Sequence, residues 1–218
     1  MEVLICRING KEAEDKVFSE FLYKLDDRKK AQISNYRFVE DKSRSLIAHL
    51  MVWCYLLKQE QCLNYSYNEQ GQPFIVCSEK QFSISHSGSY VVLAFDDDNV
   101  GVDIEKMVDI EPKILEIFCS HAELEYIKRK KYDKGLIYKL WTLKESYVKY
   151  LGEGVSDNII NIEFLIYEDS ITCVENPDLS FFSYYIDDYC IALCSKNKRE
   201  FKIVNMTSED IKTILKKE

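Results

Sequence analysis

The order of helical and strand-like patterns constrains the fold of this chain more than any other feature of its sequence. Apolar residues recur at helical spacing in residues 17–25, 43–58, 114–130 and 138–151. Strand-like patterns cover residues 3–5, 82–85, 90–95, 99–106, 159–167, 181–186, 189–195 and 201–204. A long helix followed by strands therefore occurs twice, and this order favours an α+β fold over a strictly alternating parallel sheet.

Two strand patterns, one in each half, look alike. Residues 89–94 read Ser-Tyr-Val-Val-Leu-Ala, and residues 188–193 read Asp-Tyr-Cys-Ile-Ala-Leu. An aromatic residue that leads an apolar strand is common, so this echo is weak support for a duplication.

Charge and cysteine usage exclude several functional classes. The 37 acidic residues outnumber the 29 basic ones, which gives a net charge of −8 and argues against a nucleic-acid partner. The 8 cysteines form no CxxC pair and have no histidine at zinc-ligand spacing. No apolar run approaches 18 residues and no signal peptide is evident, so we expect a cytoplasmic protein with no membrane segment. The basic run at 128–131 is either a solvated helix end or a docking spot for an acidic partner.

The first chemical motif is Gly-Val-Asp-Ile-Glu at residues 101–105. Side chains alternate across a strand, so Val102 and Ile104 can face a core while Asp103 and Glu105 share the other face. Their backbone positions lie roughly 7 Å apart, which lets both carboxylates reach one small cation. Magnesium favours such a set together with water and phosphate oxygens. An ordinary exposed strand face is the alternative.

The second motif spans residues 141–154 and reads Trp-Thr-Leu-Lys-Glu-Ser-Tyr-Val-Lys-Tyr-Leu-Gly-Glu-Gly. Glu145 and Lys149 are one turn apart on the predicted helix, and Gly152 is placed to end it. The pair is either an exposed ion pair or a third metal-binding carboxylate with an ammonium group beside it for phosphate.

The third motif is Phe-Ser-Ile-Ser-His-Ser-Gly-Ser at residues 82–89. Alternation puts Ser83 and Ser85 opposite Ile84, and the turn beyond them exposes hydroxyl and backbone donors that suit phosphate. A plain polar turn is the alternative. His49 and His121 are predicted to be structural.

Taken in order, these motifs closely resemble those of the Sfp-type 4′-phosphopantetheinyl transferase family. The resemblance includes Ser85-His86-Ser87-Gly88, the 101–105 motif, and Trp141 with Lys144-Glu145-Ser146, Lys149, Gly152 and Gly154. It extends upstream to Gly71-x-Pro73 and to Glu40-Asp41-x-x-Arg44-Ser45, and it includes Phe118-Cys119-Ser120-x-x-Glu123 between the acidic motifs. In all it runs from about residue 29 to residue 154.

The resemblance implies a pseudodimer of two similar α+β halves, at residues 1–100 and 101–218, with coenzyme A in the cleft between them. Such enzymes transfer phosphopantetheine from coenzyme A to a serine of an apo acyl, peptidyl or aryl carrier protein and release 3′,5′-ADP. The resemblance also implies a monomer that depends on Mg²⁺, for which Mn²⁺ can substitute.

Site residues follow from the same resemblance. The implied magnesium ligands are Asp103, Glu105 and Glu145. The implied coenzyme A contacts are Lys29, Arg44, Ser85, His86 and Lys149. Either Glu145 or Glu123 would deprotonate the carrier serine, and Lys149 would assist the leaving group.

Some of these assignments have alternatives. Ser120-x-x-Glu123 is also a helix capping box, which is a sufficient structural reason for both residues. Gln32 and Gln72 stand where many relatives carry basic residues, so we expect a modest affinity for coenzyme A, for which Lys30 can partly compensate beside Lys29.

Two other functions could use the same residues. One is a magnesium-dependent hydrolase of diphosphates, and the other is a relative that binds coenzyme A or a carrier protein without transfer. For a transferase, carrier docking is expected at residues 107–131, where the apolar candidates are Ile110, Ile114, Leu115, Ile117 and Phe118.

Overall fold

The computed structural model describes residues 1–22, 25, 27–59, 65–68, 73–76, 80–152, 157–167, 170–196 and 201–217. The helices are α1 (Lys16–Leu22), α2 (Asp27–Asn35), α3 (Val39–Lys58), α4 (Leu115–Phe118), α5 (His121–Arg129), α6 (Lys134–Leu151) and α7 (Ser208–Leu215). The strands are β1 (Glu2–Arg7), β2 (Tyr65–Tyr67), β3 (Pro73–Ile75), β4 (Gln81–Ser87), β5 (Tyr90–Asp96), β6 (Val100–Lys106), β7 (Phe164–Ile166), β8 (Ile171–Cys173), β9 (Ser180–Ile186), β10 (Tyr189–Ser195) and β11 (Lys202–Met206).

Most predicted elements are confirmed, and two are corrected. The helix predicted at 114–130 is divided into α4 and α5, because Ser120 adopts an extended backbone and its side chain caps α5. The strand predicted at 159–167 begins as a 3₁₀ helix (Asp157–Asn161), and only β7 is extended. Gly152 ends α6 in the left-handed conformation, with φ of 75°, as predicted.

The first half is a sheet covered by a long helix. The strand order is β11-β1-β5-β4, and α3 packs on one face. Side chains from α3 and from that face form a continuous core that includes Leu4, Cys6, Leu50, Leu93 and Phe95. This core supplies the apolar burial that stabilises the first half.

The second half repeats this arrangement. Its sheet has the order β6-β10-β9, and α6 packs on the outer face. The inner faces of the two sheets form a core of their own, with Val102 and Ile104 from β6 opposite Val92 and Ala94 from β5. The result is a four-layered α+β pseudodimer, which confirms the predicted fold class.

The two hairpins at the centre of the sheets contact each other reciprocally. Tyr90 begins β5 and Tyr189 begins β10, 99 residues later. The Tyr90 hydroxyl donates to Asp187 in the turn of the second hairpin (2.7 Å). The backbone N–H of Ser89 in the first hairpin donates to the Tyr189 hydroxyl (2.8 Å). Each tyrosine thus reaches into the turn of the other half, as an approximate twofold requires.

Strand pairing also relates β1 to β6. Leu4 and Cys6 of β1 pair with two residues of β5. The two corresponding residues of β10 pair with Asp103 and Glu105 of β6. Leu4 and Cys6 are buried in the first core. The same two positions therefore hold apolar side chains in one half and acids in the other.

The end of the chain returns to the first half. Strand β11 pairs with β1 in parallel, and α7 buries Ile211 and Leu215 in the first core. The division at residues 100 and 101 stays a prediction, and the last strand and helix cross it. In the part of the chain that is described, no helix combines the length and apolar character needed to span a membrane.

Candidate active site

Helix α6 lies directly on strand β6 because residue 101 is a glycine. A Cβ atom on Gly101 would stand 1.8 Å from the carbonyl oxygen of Ser146 and 2.8 Å from the backbone nitrogen of Tyr150. A side chain at this position would push the helix away from the strand. The close approach sets Glu145 and Lys149 over the acidic face of β6.

Three carboxylates meet at this contact. Asp103 and Glu145 are buried, with 2% and 7% of their surface exposed, and Glu105 is half-buried. The ammonium group of Lys149 lies 2.7 Å from Asp103 Oδ1. Asp103 Oδ2 and Glu145 Oε1 are buried and find no hydrogen-bond partner among the described residues. Buried carboxylate oxygens without partners are costly, and a cation beside them would offset that cost.

The raised pKa values of Glu145 and Glu105 reflect the same crowding of carboxylates. Burial, followed by the charge of Asp103, raises the pKa of Glu145 to about 7, and Lys149 partly opposes this rise. Burial and Asp103 also raise the pKa of Glu105, against hydrogen bonds from Ser87 and Trp141 that lower it. These acids repel each other, and a single lysine does not neutralise all three.

Ser83, Ser85 and Ser87, on alternate positions of β4, form a row that joins β4 to β6. Their hydroxyls accept the backbone N–H groups of Val102 (3.1 Å), Ile104 (3.3 Å) and Lys106 (3.1 Å). Ser85 also donates to Asp103 Oδ1 (2.8 Å), and Ser87 to Glu105 Oε2 (2.8 Å). In this structure the Ser85 hydroxyl orients Asp103, and its expected contact with phosphate stays a prediction.

Three basic side chains act on His86. Desolvation is the largest cause that lowers the pKa of His86, and the charges of Lys149, Arg44 and Lys29 add to it, so that the pKa is about 4. Part of His86 is accessible to solvent, but surrounding protein desolvates the ring. The predicted coenzyme A contacts thus converge around a neutral imidazole.

All three of these cations already have partners in the protein, and that of Lys149 is Asp103. Arg44 donates to the carbonyl oxygen of Gly88 (2.8 Å) and pairs with Asp41 on α3. Lys29 is buried and donates to Gln32 Oε1 (2.9 Å). A cavity of about 240 Å³ opens beside Lys149, and its wall includes Pro73, Phe74 and Tyr150. Gly71, Gln72 and Gly154 lie outside the described residues.

Glu123 lies in a different environment from the three acids. It completes the predicted capping box with Ser120. Its Oε2 lies 2.7 Å from the ammonium group of Lys144, and its Oε1 accepts the backbone N–H of Phe164 (2.9 Å). Lys144 is fully buried and also donates to the carbonyl oxygen of Phe118 (2.5 Å). Both oxygens of Glu123 therefore serve contacts that join α4, α5, α6 and β7.

Removing the ammonium group of the buried Lys144–Glu123 pair should destabilise the protein strongly. Lys144→Met leaves Glu123 with a buried, uncompensated charge, so we expect a loss of about 3–5 kcal/mol in the free energy of unfolding. Urea denaturation followed by circular dichroism measures this loss. The double variant Lys144→Met/Glu123→Gln should recover part of it, because no buried charge remains. Wild-type stability in Lys144→Met would contradict the buried pair.

The three acids fit a magnesium ion by the chemistry of their donors. Carboxylate oxygens supplemented by water and phosphate are what Mg²⁺ prefers. The unpartnered oxygens of Asp103 and Glu145 are available to such an ion. No three His, Cys, Asp or Glu side chains within the described ranges already stand in metal-ligand geometry. The residues thus fit the ion, and their side chains need to adjust around it.

The sequence motifs include Ser87, Trp141 and Lys144, but sequence reasoning gave none of the three a role. Ser87 follows from the alternation that selected Ser83 and Ser85, carried one step further along β4. Trp141 and Lys144 lie inside a helical motif, and their partners Glu105 and Glu123 are distant in sequence. Helical periodicity gives no signal for such contacts.

Comparison with known proteins gives the family. Residues 99–194 match a family model described as the 4′-phosphopantetheinyl transferase superfamily, and residues 12–97 match the 4′-phosphopantetheinyl transferase N-terminal model. The 4′-phosphopantetheinyl transferase ffp of Bacillus subtilis is 34% identical over 157 residues, which are 69% of this chain and 70% of that protein. The 4′-phosphopantetheinyl transferase Sfp of Bacillus subtilis strain 168 is 31% identical over 165 residues, 72% of this chain and 74% of that protein.

One solved structure is also similar in part. The holo-[acyl-carrier-protein] synthase of Helicobacter pylori in complex with coenzyme A has a TM-score of 0.36 and 23% identity, and it covers 44% of this chain and 96% of that one. The family matches and the Bacillus relatives confirm the resemblance found in the motifs. The chain therefore belongs to the 4′-phosphopantetheinyl transferase family and is a phosphopantetheinyl transferase.

Proposed function

We propose that the cleft between the two halves transfers 4′-phosphopantetheine from coenzyme A to a serine of an apo carrier protein, with Mg²⁺ held by Asp103, Glu105 and Glu145. The observation that carries this proposal is the meeting of three carboxylates, two with unpartnered buried oxygens, beside Lys149. Family membership supports the reaction type.

Coenzyme A suits the charge of the cleft. Its pyrophosphate and 3′-phosphate are anionic, and Lys29, Arg44 and Lys149 act together on the ring of His86. A neutral His86 offers one hydrogen-bond donor and one acceptor. We assign the phosphates of coenzyme A to these four side chains.

Glu145 is the better candidate for the base. It lies among the three acids near Lys149, while both oxygens of Glu123 are engaged by Lys144 and Phe164. Lys144 and Glu145 are adjacent on α6, so their side chains leave the helix about 100° apart. Glu123, bound to Lys144, therefore lies on a different side of α6 from Glu145.

The reaction forms one bond and breaks one. The carrier serine oxygen attacks the β-phosphorus of coenzyme A, and its proton passes to the carboxylate of Glu145. The bond between the β-phosphorus and the bridging oxygen breaks, and 3′,5′-ADP leaves with that oxygen. Lys149 donates a hydrogen bond to the leaving phosphate. Bound Mg²⁺ would supply charge neutralisation at the pyrophosphate.

Intact-mass spectrometry of an apo carrier protein tests the proposal. Incubation with this protein, coenzyme A and MgCl₂ should add one phosphopantetheine to the carrier, and EDTA should prevent the addition. Breakdown of coenzyme A without carrier labelling would instead indicate a hydrolase. If the protein binds coenzyme A but labels no fatty-acid, polyketide or nonribosomal-peptide carrier, the result would indicate a binding protein.

A surface for the carrier is proposed on residues 107–131. Ile117 and Ile114 are 69% and 42% exposed, and Val108 in the same segment is 53% exposed. Leu115 and Phe118, which were also candidates, are buried in the second core. The docking patch is therefore proposed as Val108, Ile114 and Ile117.

We propose that the protein acts as a monomer in the cytoplasm. One chain supplies both walls of the cleft, and the six described cysteines are buried thiols, which suits a reducing compartment. Light scattering after size exclusion should give the mass of a single chain.

Neutralising Lys29 should weaken coenzyme A binding more than neutralising Lys30. Lys29 is buried and acts on His86, and a lost charged contact of about 1.5–3 kcal/mol would raise the KM for coenzyme A roughly tenfold or more. Lys30, which the sequence suggested as a partial substitute, pairs with Asp27 on the surface of α2 (3.2 Å), so we now expect Lys30→Met to change the KM little. Steady-state kinetics of both variants decide this, and equal KM values for Lys29→Met and the wild type would contradict it.

A further inference from the structure

The row of serines on β4 differs from an ordinary strand pair. Strands β4 and β6 run side by side in parallel, yet they belong to different sheets. Side-chain hydroxyls of β4 accept hydrogen bonds from backbone N–H groups of β6, which in a sheet would be donated to backbone carbonyls. The joint between the two halves at this point is thus made by three side chains.

Ser83 and Ser87 make different hydrogen bonds. Ser83 accepts from Val102, and its contact is with backbone. Ser87 accepts from Lys106 and donates to Glu105, so both functions of its hydroxyl are used and its orientation is fixed. Ser87 therefore couples a carboxylate of the site to the backbone of β6.

The turn after Ser87 is held firmly. Gly88 adopts φ of 50°, and a Cβ there would stand 2.1 Å from the Tyr189 hydroxyl. Arg44 donates to the carbonyl oxygen of Gly88, and Ser89 donates to the Tyr189 hydroxyl. Contacts from α3 and β10 thus fix the end of β4, and with it the position of the Ser87 hydroxyl.

We propose that Ser87 is a positioning residue that holds the Glu105 carboxylate in the orientation needed to bind a divalent cation. The inference rests on the proposed function, in which Glu105 is a metal ligand. A hydrogen bond to a ligating carboxylate fixes its rotamer and reduces the ordering needed when the ion binds. Ser83 lacks this second contact, so it joins the halves without orienting an acid.

Direct cation binding tests the inference without relying on turnover. Mn²⁺ is titrated into the full-length protein with coenzyme A present, and free Mn²⁺ is followed by electron paramagnetic resonance. Ser87→Ala should weaken Mn²⁺ binding about 10–100-fold, the usual effect of losing such a supporting contact. Ser87→Thr, which keeps the hydroxyl, should bind within about threefold of the wild type.

Ser83→Ala is the matched control, because it removes one rung of the same row. It should lower the melting temperature about as much as Ser87→Ala and leave Mn²⁺ affinity unchanged. Wild-type affinity in Ser87→Ala, or an equal loss of affinity in Ser83→Ala, would overturn the role of Ser87. If the wild type binds no Mn²⁺, the carboxylate site and the role of Ser87 both fail. Carrier labelling by wild type and Ser87→Ala then shows whether transfer itself survives.

Discussion

Glu145→Gln should reduce phosphopantetheine transfer by at least about a hundredfold while the protein remains folded. The amide cannot accept the proton of the carrier serine, and it is a poorer ligand for a hard cation than a carboxylate. Initial rates of carrier labelling, with the product quantified by intact mass, measure the loss.

Stability separates this effect from damage to the fold. Glu145 has a buried oxygen without a partner among the described residues, and burial, followed by repulsion from Asp103, raises its pKa. In EDTA the neutral amide removes this penalty, so Glu145→Gln should unfold at the wild-type temperature or above. Glu209→Gln is a suitable control, since Glu209 is an exposed residue on α7. Transfer at the wild-type rate in Glu145→Gln would exclude Glu145 as the base.

Gly101→Ala should impair both stability and transfer. The added Cβ would meet backbone atoms of Ser146 and Tyr150, which cannot turn away as a side chain can. Overpacking of this kind costs about 1–3 kcal/mol or more. Helix α6 would have to shift, and a displacement of about 1 Å at Glu145 and Lys149 can lower a rate about a hundredfold.

Gly135→Ala provides the matched control in the same helix. A Cβ on Gly135 would first meet the Tyr185 hydroxyl at 3.2 Å and Asp133 Oδ1 at 3.3 Å, which are the ends of side chains. Alanine also favours the helix by up to about 1 kcal/mol. Thermal unfolding and labelling rates should therefore stay near wild type in Gly135→Ala. Equal behaviour of the two variants would show that α6 tolerates displacement from β6.

Local patterns predicted the parts of this structure that depend on local rules. Alternation along β6 placed Val102 and Ile104 in the core and Asp103 and Glu105 on the other face, and the structure agrees. The sequence shows the capping box at Ser120. In the structure this box begins a new helix and so breaks the helix that periodicity predicts. Periodicity continues on both sides of Ser120, so it conceals the end of one helix and the start of the next.

Contacts between distant segments could not be read in the same way. The motif residues Asp103, Glu145 and Lys149 were expected together, and Lys149 does contact Asp103. The pairing of Ser85 with Asp103 and the burial of Lys144 against Glu123 depend on how α6, β4 and β6 pack. The return of β11 to β1 joins the two ends of the chain, and no local pattern encodes it.

The apolar residues on β1 that correspond to the acids on β6 limit the number of acidic sites that the two halves can form. A dimer of identical halves would carry two equivalent centres, each built where a helix lies on a strand. Here Leu4 and Cys6 occupy the corresponding positions of the first half, so matched strand positions carry apolar side chains in one half and acids in the other. The first half is thereby free to serve as a support, and in the described part of the chain the proposed acidic site occurs in the second half alone.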